Sequence, residues 1–229
     1  IFNSSIRFNI IAKIAQIQDI YQYPLFKKKN QHIINAAKDF LKKKISINIE
    51  SNPEISLNKN LINKTKLKYK IDGKQLNILL GIGGSGPTKR IPSKIFFNFM
   101  KLISKNYDCK FFLATGKNEE EQKILNELLK SELKEKCIAL DNFSLKEIMP
   151  IIANCRISVC NDSSFSHLSS ALGIQTIVLM SDTPLLYGNY STRMHPIIPD
   201  GESTVTHNTL GKDRINPNKI FEKLKNILN

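Results

Sequence analysis

The chain has 229 residues, 41% of them hydrophobic, which is enough for a real core in one large or two modest domains. No apolar run approaches ~18 residues, so no membrane-spanning helix is expected, and the opening residues have no signal-peptide pattern. The formal net charge is +14, but no basic stripe interleaves with aromatic residues, so nucleic acid is not an expected partner.

The first residue is Ile, and the opening elements are sparse, so the sequence reads as an amino-terminally truncated piece of a longer protein. Ser4 to Ile17 has helical spacing, with Ile6, Ile10, Ile14 and Ile17 in register. Asp19 to Tyr23 is a candidate short strand before Pro24, Gln31 to Lys43 a second helix, and Ile55 to Leu57 a last short strand. Residues 1–58 are read as the trailing part of an amino-terminal α/β domain, since they fall short of the roughly 100–200 residues of a full domain. Residues 59–75 are polar and Lys-rich, with a turn at Asp72-Gly73-Lys74, and are read as a linker.

From Leu76 onward the pattern is regular. Strands are expected at Leu76 to Ile82, Lys110 to Thr115, Cys137 to Leu140, Ile157 to Cys160 and Ile174 to Met180. Helices are expected at Ser93 to Lys105 with Ser93 as cap, Glu119 to Leu133, Ser144 to Asn154 with a Ser144/Glu147 capping box, Asn161 to Gly173 in part, and Asn218 to Leu228. Strands alternating with helices imply a parallel, doubly wound α/β sheet over residues 76–229, whose ligands bind beyond the carboxyl ends of the strands.

Three polar segments fall at that edge. Gly81-Ile82-Gly83-Gly84-Ser85-Gly86-Pro87-Thr88-Lys89-Arg90 follows the first strand. Its glycines would let backbone approach a ligand, Ser85 and Thr88 carry hydroxyls, and Lys89 and Arg90 carry charge, which together suit a diphosphate. The spacing is neither that of a Walker loop nor that of a dinucleotide fingerprint. Asn161-Asp162-Ser163-Ser164-Phe165-Ser166-His167 runs from a strand into a small-residue helix, where free amides and the helix dipole favour a phosphate. Ser181-Asp182-Thr183-Pro184 follows the next strand. The loop Tyr187-Gly188-Asn189-Tyr190 after the third segment is read as a wall of the ligand pocket. Each residue also has an ordinary structural reading: Lys89 as a solvated lysine, Arg90 in a salt bridge, Asp162 as a helix cap, His167 as a packed side chain, and Tyr187 and Tyr190 as packing residues.

The Gly-Gly-Ser-Gly-Pro-Thr-Lys-Arg-Ile-Pro loop resembles the P-G-A-S-x-x-K-R-W-P loop of the heptosyltransferase-like glycosyltransferases, family nine. The Asn161 to Gly173 segment resembles their N-D-[ST]-G-x-x-H-x-A-A-A-L-G block, and Ser181 to Pro184 falls where they carry G-P-T-D-P. The likeness covers Leu76 to about Gly188, with Ser164 in place of the usual Gly, Ile91 of Trp and Asp182 of Pro. It implies a two-domain GT-B fold, with a Rossmann-like carboxyl-terminal domain that takes a nucleoside-diphosphate sugar and an amino-terminal one that takes the acceptor. The implied donor-binding residues are Gly84, Ser85, Gly86, Thr88, Lys89, Asp162, Ser163, Ser164, His167 and Thr183, with Asn118 and Glu119 near the nucleotide ribose. The implied acceptor is lipopolysaccharide or another surface glycan, and the general base belongs near the start of the amino-terminal domain.

No D-x-D motif is present and His32, His195 and His207 have no ligand spacing, so no metal and no cofactor beyond the donor substrate are expected. Cys109, Cys137, Cys155 and Cys160 form no C-x-x-C, which fits a reduced, cytoplasmic protein. The basic charge has two readings: a peripheral contact with an anionic membrane surface or phosphorylated substrates, or a composition bias that raises Lys, Asn and Ile together. Two other activities stay open at this point, an inactive nucleotide- or phosphate-binding fragment and a nucleotide-sugar epimerase of the same fold.

Overall fold

The structure is a computed structural model that describes residues 1–3, 5–23 and 32–229. The chain divides into two compact units, Ile1–Asn52 and Pro53–Asn229.

In the smaller unit, α1 spans Ile6–Ile14 and α2 spans Ile33–Ile45. Ser4 and Gln31, the expected first residues of these helices, lie outside the described residues. Ala12 and Phe40 are buried, and Phe40 takes Phe2 edge-on at 5.4 Å between ring centroids. Ile6, Ile10 and Ile14, the face marked as buried by its periodicity, are exposed. Asp19 to Tyr23, expected as a short strand, is not in one; Tyr23 N–H donates to the carbonyl of Ile1 at 2.9 Å.

The larger unit begins with a helix where the composition suggests a linker. Asn58 caps α3 (Lys59–Lys68) by accepting from Asn60 N–H at 2.8 Å. Its polar sequence hides this role, because the buried contact comes from Thr65 and from an Asn154 side-chain bond to the carbonyl of Ile62 at 3.0 Å. Ile55 is not in a strand; its N–H donates to the carbonyl of Ala171 at 2.8 Å.

Then follow β1 (Leu76–Gly81), α4 (Ser93–Asn106), β2 (Cys109–Ala114), α5 (Glu119–Leu129), β3 (Cys137–Ala139), α6 (Leu145–Ile152), β4 (Ile157–Asn161), α7 (Ser164–Ala171), β5 (Gln175–Leu179), β6 (Met194–Ile197) and α8 (Pro217–Leu228). All strand pairs are parallel, in the order β3-β2-β1-β4-β5-β6. The sixth strand escapes the sequence pattern because it is short and carries Pro196, which an edge strand tolerates. Ser93 is the first helical residue of α4 and not its cap; Pro92 holds the cap position and the Ser93 hydroxyl bonds to Glu127. The Ser144/Glu147 capping box is present, with Ser144 N–H donating to the Glu147 carboxylate at 2.9 Å.

Helices cover both faces of the sheet, which is why the central strands are apolar almost throughout. Ile78, Leu80, Phe111, Leu113, Val159 and Ile177 pack with α4, α5 and α8. Leu79, Phe112, Ala114 and Cys160 face the other way and pack with α6 and Phe165 of α7. The order reverses between β1 and β4: the chain builds outward from β1 to β3, then returns to lay β4 on the other side of β1. In a doubly wound sheet this reversal opens a crevice at the carboxyl ends of the two strands.

Phe99 is fully buried in the α4 layer. Phe99→Ala should lower the unfolding free energy of the larger unit by about 3–5 kcal/mol in urea titration, whereas Leu67→Ala, at 79% exposure, should change it by less than about 0.5 kcal/mol.

Candidate functional site

The loop after β1 is fixed from below by a carboxylate. Glu121, one turn into α5 and 6% exposed, accepts from Gly84 N–H at 2.6 Å through Oε1 and from the Asn118 side-chain amide at 2.6 Å through Oε2. Asn118 in turn caps α5 by accepting from Glu121 N–H at 3.0 Å. A Cβ on Gly83 would lie 2.8 Å from Glu121 Oε1, and one on Gly116 2.2 Å from Oε2. These glycines therefore make room for the chain's own carboxylate. Arg90 completes the brace: its Nε donates to the carbonyl of Gly84 at 2.9 Å and its guanidinium pairs with Glu120.

The loop after β4 faces it across the crevice. Asn161, fully buried, donates to the carbonyls of Ile82 at 2.8 Å and Gly83 at 3.2 Å. Asp162, 6% exposed, accepts from Lys89 Nζ at 2.8 Å, and Lys89 keeps 26% of its side chain exposed. This pair joins loops 73 residues apart in sequence. Ser163 is the N-cap of α7, yet its hydroxyl makes no capping bond and is buried without a partner among the described residues. The start of α7 thus combines dipole, first-turn amides and an uncommitted hydroxyl beside a lysine ammonium, a setting that favours an anion.

His167, on the next turn of α7, has Nδ1 2.7 Å from the Tyr190 hydroxyl, and the two rings stack with centroids 5.6 Å apart and planes 15° apart. Burial lowers the His167 pKa; Asp162 opposes this and Lys89 adds to it. Burial, helped by Asp162, raises that of Tyr190. After β5, the Ser181 hydroxyl donates to the carbonyl of Thr88 at 2.9 Å, and Thr183 is buried with its hydroxyl unpartnered among the described residues. Asp182 accepts from Asn208 N–H at 2.9 Å and Leu210 N–H at 2.8 Å. Desolvation works against its charged form, but the bonds from Leu210, Thr88 and Asn208 prevail and hold the carboxyl below the usual range.

The structure therefore gathers Gly84, Thr88, Lys89, Asp162, Ser163 and Thr183 on the loops that follow β1, β4 and β5, with His167 in α7 directly after the second of them. Ser85, on the β1 loop, and Ser164, the first residue of α7, are exposed, and Gly86 is half-buried. Asn118 and Glu119 open α5 as exposed residues; Asn118 reaches the β1 loop only through Glu121. Arg90 is occupied by Gly84 and Glu120. Tyr187 is exposed and leans on His207, with centroids 6.3 Å apart. The partners of two residues escape a reading of the sequence. Glu121 looks like one of three dipole-favoured acids, although its place three residues after an Asn cap is the capping-box signal. Tyr190 has no local signal, because its partner lies 23 residues earlier. Among the described residues no group of three or more His, Cys, Asp or Glu is placed to hold a metal ion.

The model of glycosyltransferase family 9 (heptosyltransferase) matches residues 17–202. The chain is 28% identical over 152 residues to lipopolysaccharide heptosyltransferase 1 of Campylobacter coli, covering 63% of this chain and 43% of that protein. It is 25% identical over 246 residues to lipooligosaccharide heptosyltransferase 2 of Campylobacter jejuni, covering 99% and 73%. The matched part thus spans less than half of the first relative and about three-quarters of the second. The structure of E. coli ADP-heptose lps heptosyltransferase II has the same fold, with a TM-score of 0.75 at 19% identity over 99% of this chain and 74% of that one.

The site geometry has two measurable consequences. Glu121→Ala leaves the Gly84 amide without its acceptor and should cost about 1.5–3 kcal/mol in urea titration; Gly116→Ala, which sets a methyl against Glu121 Oε2, should also destabilise. The second concerns pH. Burial lowers the pKa of both His167 and His195 in the folded chain, so the unfolded chain takes up protons first. Their contribution is complete above the ordinary histidine value of about 6.5 and is lost as pH falls below it. A His167→Gln/His195→Gln double variant should flatten the pH dependence of thermal unfolding in that window.

Proposed function

The chain belongs to glycosyltransferase family 9, the heptosyltransferases, and on that premise we propose that its larger unit is the donor-binding part of an enzyme that moves a heptose-like sugar from a nucleoside diphosphate to a lipopolysaccharide or related surface-glycan acceptor. The observation that carries the reading is the convergence of Lys89, Asp162 and the open Ser163 cap at the reversal between β1 and β4. Similarity to proteins named for lipopolysaccharide and lipooligosaccharide heptosyl transfer supports the sugar and acceptor class. The E. coli protein of the same fold is an ADP-heptose heptosyltransferase, which supports an adenosine diphosphate donor.

Substitution at the anomeric carbon releases a nucleoside diphosphate, so negative charge grows on the leaving group in the transition state. Donors fixed beforehand at that position lower the barrier, because they need no reorganisation as the bond breaks. Lys89 is the partly exposed cation of the set. Its ammonium has three donors, so it can keep Asp162 and still reach a phosphate oxygen. The Ser163 and Thr183 hydroxyls and the first-turn amides of α7 supply neutral donors, and Thr88 is held near them by Ser181 and Asp182. Asn118 and Glu119, at the mouth of α5, would meet the nucleoside end. This set stabilises the leaving diphosphate with protein cations and dipoles alone, so the proposed mechanism is metal-independent and uses no cofactor beyond the donor.

No helix among the described residues is long and apolar enough to cross a membrane. A cytoplasmic location with peripheral contact at the inner membrane face accords with a lipid-linked acceptor and a net charge of +14.

Calorimetric titration of the chain with ADP, with and without a chelator, tests the reading. Binding should survive the chelator; binding abolished by it would sink the metal-free mechanism, and no binding in either case would sink the donor site. Lys89→Ala should weaken ADP binding roughly ten- to a hundredfold, the worth of one charge-assisted contact. Lys94→Ala, on the neighbouring helix, should change it little; equal losses would assign the effect to a diffuse basic field.

A further inference from the structure

The stacked pair of His167 and Tyr190 constrains where the imidazole keeps its proton. A neutral imidazole has one N–H and one bare nitrogen, and a phenol has one proton to donate. The 2.7 Å contact between Nδ1 and the Tyr190 hydroxyl can be filled in two ways. A phenol O–H is more acidic than the N–H of a neutral imidazole, and a bare imidazole nitrogen is a better acceptor than a phenol oxygen, so the favoured filling has Tyr190 donating to Nδ1, with the imidazole proton on Nε2. Stacking at 15° between the ring planes holds the pair in this register. Burial acts in the same sense on both partners, keeping the phenol protonated and the ring neutral. The charged side chains that act on the ring are Asp162 and Lys89, the ion pair of the crevice.

We infer that Tyr190 is a positioning residue that fixes His167 as its Nε2–H tautomer, so that His167 offers the bound diphosphate a neutral hydrogen-bond donor and not a base. The inference rests on the donor-site reading above and goes beyond it in assigning the proton and the residue that places it. Nδ1 is engaged and Nε2 is protonated, which leaves no lone pair on the ring free to accept a proton from a sugar hydroxyl. The fixing group comes from the loop after β5 and the ring from the helix after β4, so the tautomer is fixed when both are in place and averaged when they are not.

Long-range nitrogen–proton NMR on the chain labelled with 15N-histidine, at pH 7.5, reads the tautomer directly. The wild-type chain should show a protonated Nε2 and a bare, hydrogen-bonded Nδ1 for His167. Tyr190→Phe keeps the stacking ring and removes the hydroxyl, so the His167 signals should move to an average of the two tautomers. ADP affinity should fall about two- to tenfold, the range of one neutral hydrogen bond. Tyr187→Phe, on the same loop, should change neither readout. A proton on Nδ1 in the wild type, an unchanged tautomer in Tyr190→Phe, or unchanged ADP affinity in that variant would each overturn the inference while leaving the donor site standing. A wild-type chain that binds no ADP would overturn the donor site and the role of His167 together, whatever the spectra show.

Discussion

The reversal of strand order between β1 and β4 is the constraint on which the site depends. It lays two strands side by side that are far apart in the chain, Gly81 against Cys160 among others. The buried side chain of Asn161 reaches back to the carbonyls of Ile82 and Gly83, so the first loop cannot drift from the second. The Lys89–Asp162 pair then closes the outer edge. Desolvation of the nearly buried carboxylate offsets much of the Coulombic gain in such a pair. Its value is therefore better sought in where it holds the ammonium than in stability.

Two anions organise this region, and both belong to the protein. Glu121 sits under the β1 loop and takes up the Gly84 amide, while Asp162 sits at the start of α7 and takes up Lys89. The first is a closed arrangement: its oxygens are bonded, its walls are glycines that a methyl group would fill, and Arg90 locks the loop against α5. The second is open, with the Ser163 and Thr183 hydroxyls unpaired and Lys89 partly exposed. A rigid floor under a partly uncommitted set of donors is the form that preorganised electrostatic binding requires.

The rim shows the same division. Asp182 gathers Asn208 and Leu210 by their amides, and Leu210 adopts a left-handed backbone at φ 51°, a conformation that leucine rarely takes. Lys212 fastens the same stretch to the carbonyl of Pro87 at 3.1 Å. The carboxyl-terminal stretch is thereby tied to the β1 loop, and Tyr190 of the same region is tied to His167.

The sequence by itself determined the parallel α/β sheet, the location of its polar edge and most of the residues on it. Hydrophobic runs of strand length, helix caps and Gly-rich turns are local signals, and five of the six strands announce themselves by them. It also determined that Lys89, Asp162 and His167 are chemical candidates, since a lysine after a glycine loop and an acid and an imidazole at a helix start are visible in the chain. Tertiary structure alone decided what these residues do for one another. The helix at Lys59–Lys68 is stabilised by a distant asparagine rather than by its own composition, and the sixth strand exists because β5 offers it an edge. Gly83 looks like a ligand contact in sequence, and only the fold places Glu121 against it and against Gly116. For Arg90 the sequence leaves ligand contact and a salt bridge open, and only the fold shows Gly84 and Glu120 occupying it. The physical reason is common to all of these: periodicity and capping act over a few residues, whereas ion pairs and buried hydrogen bonds are selected by distance in space, which a sequence does not record.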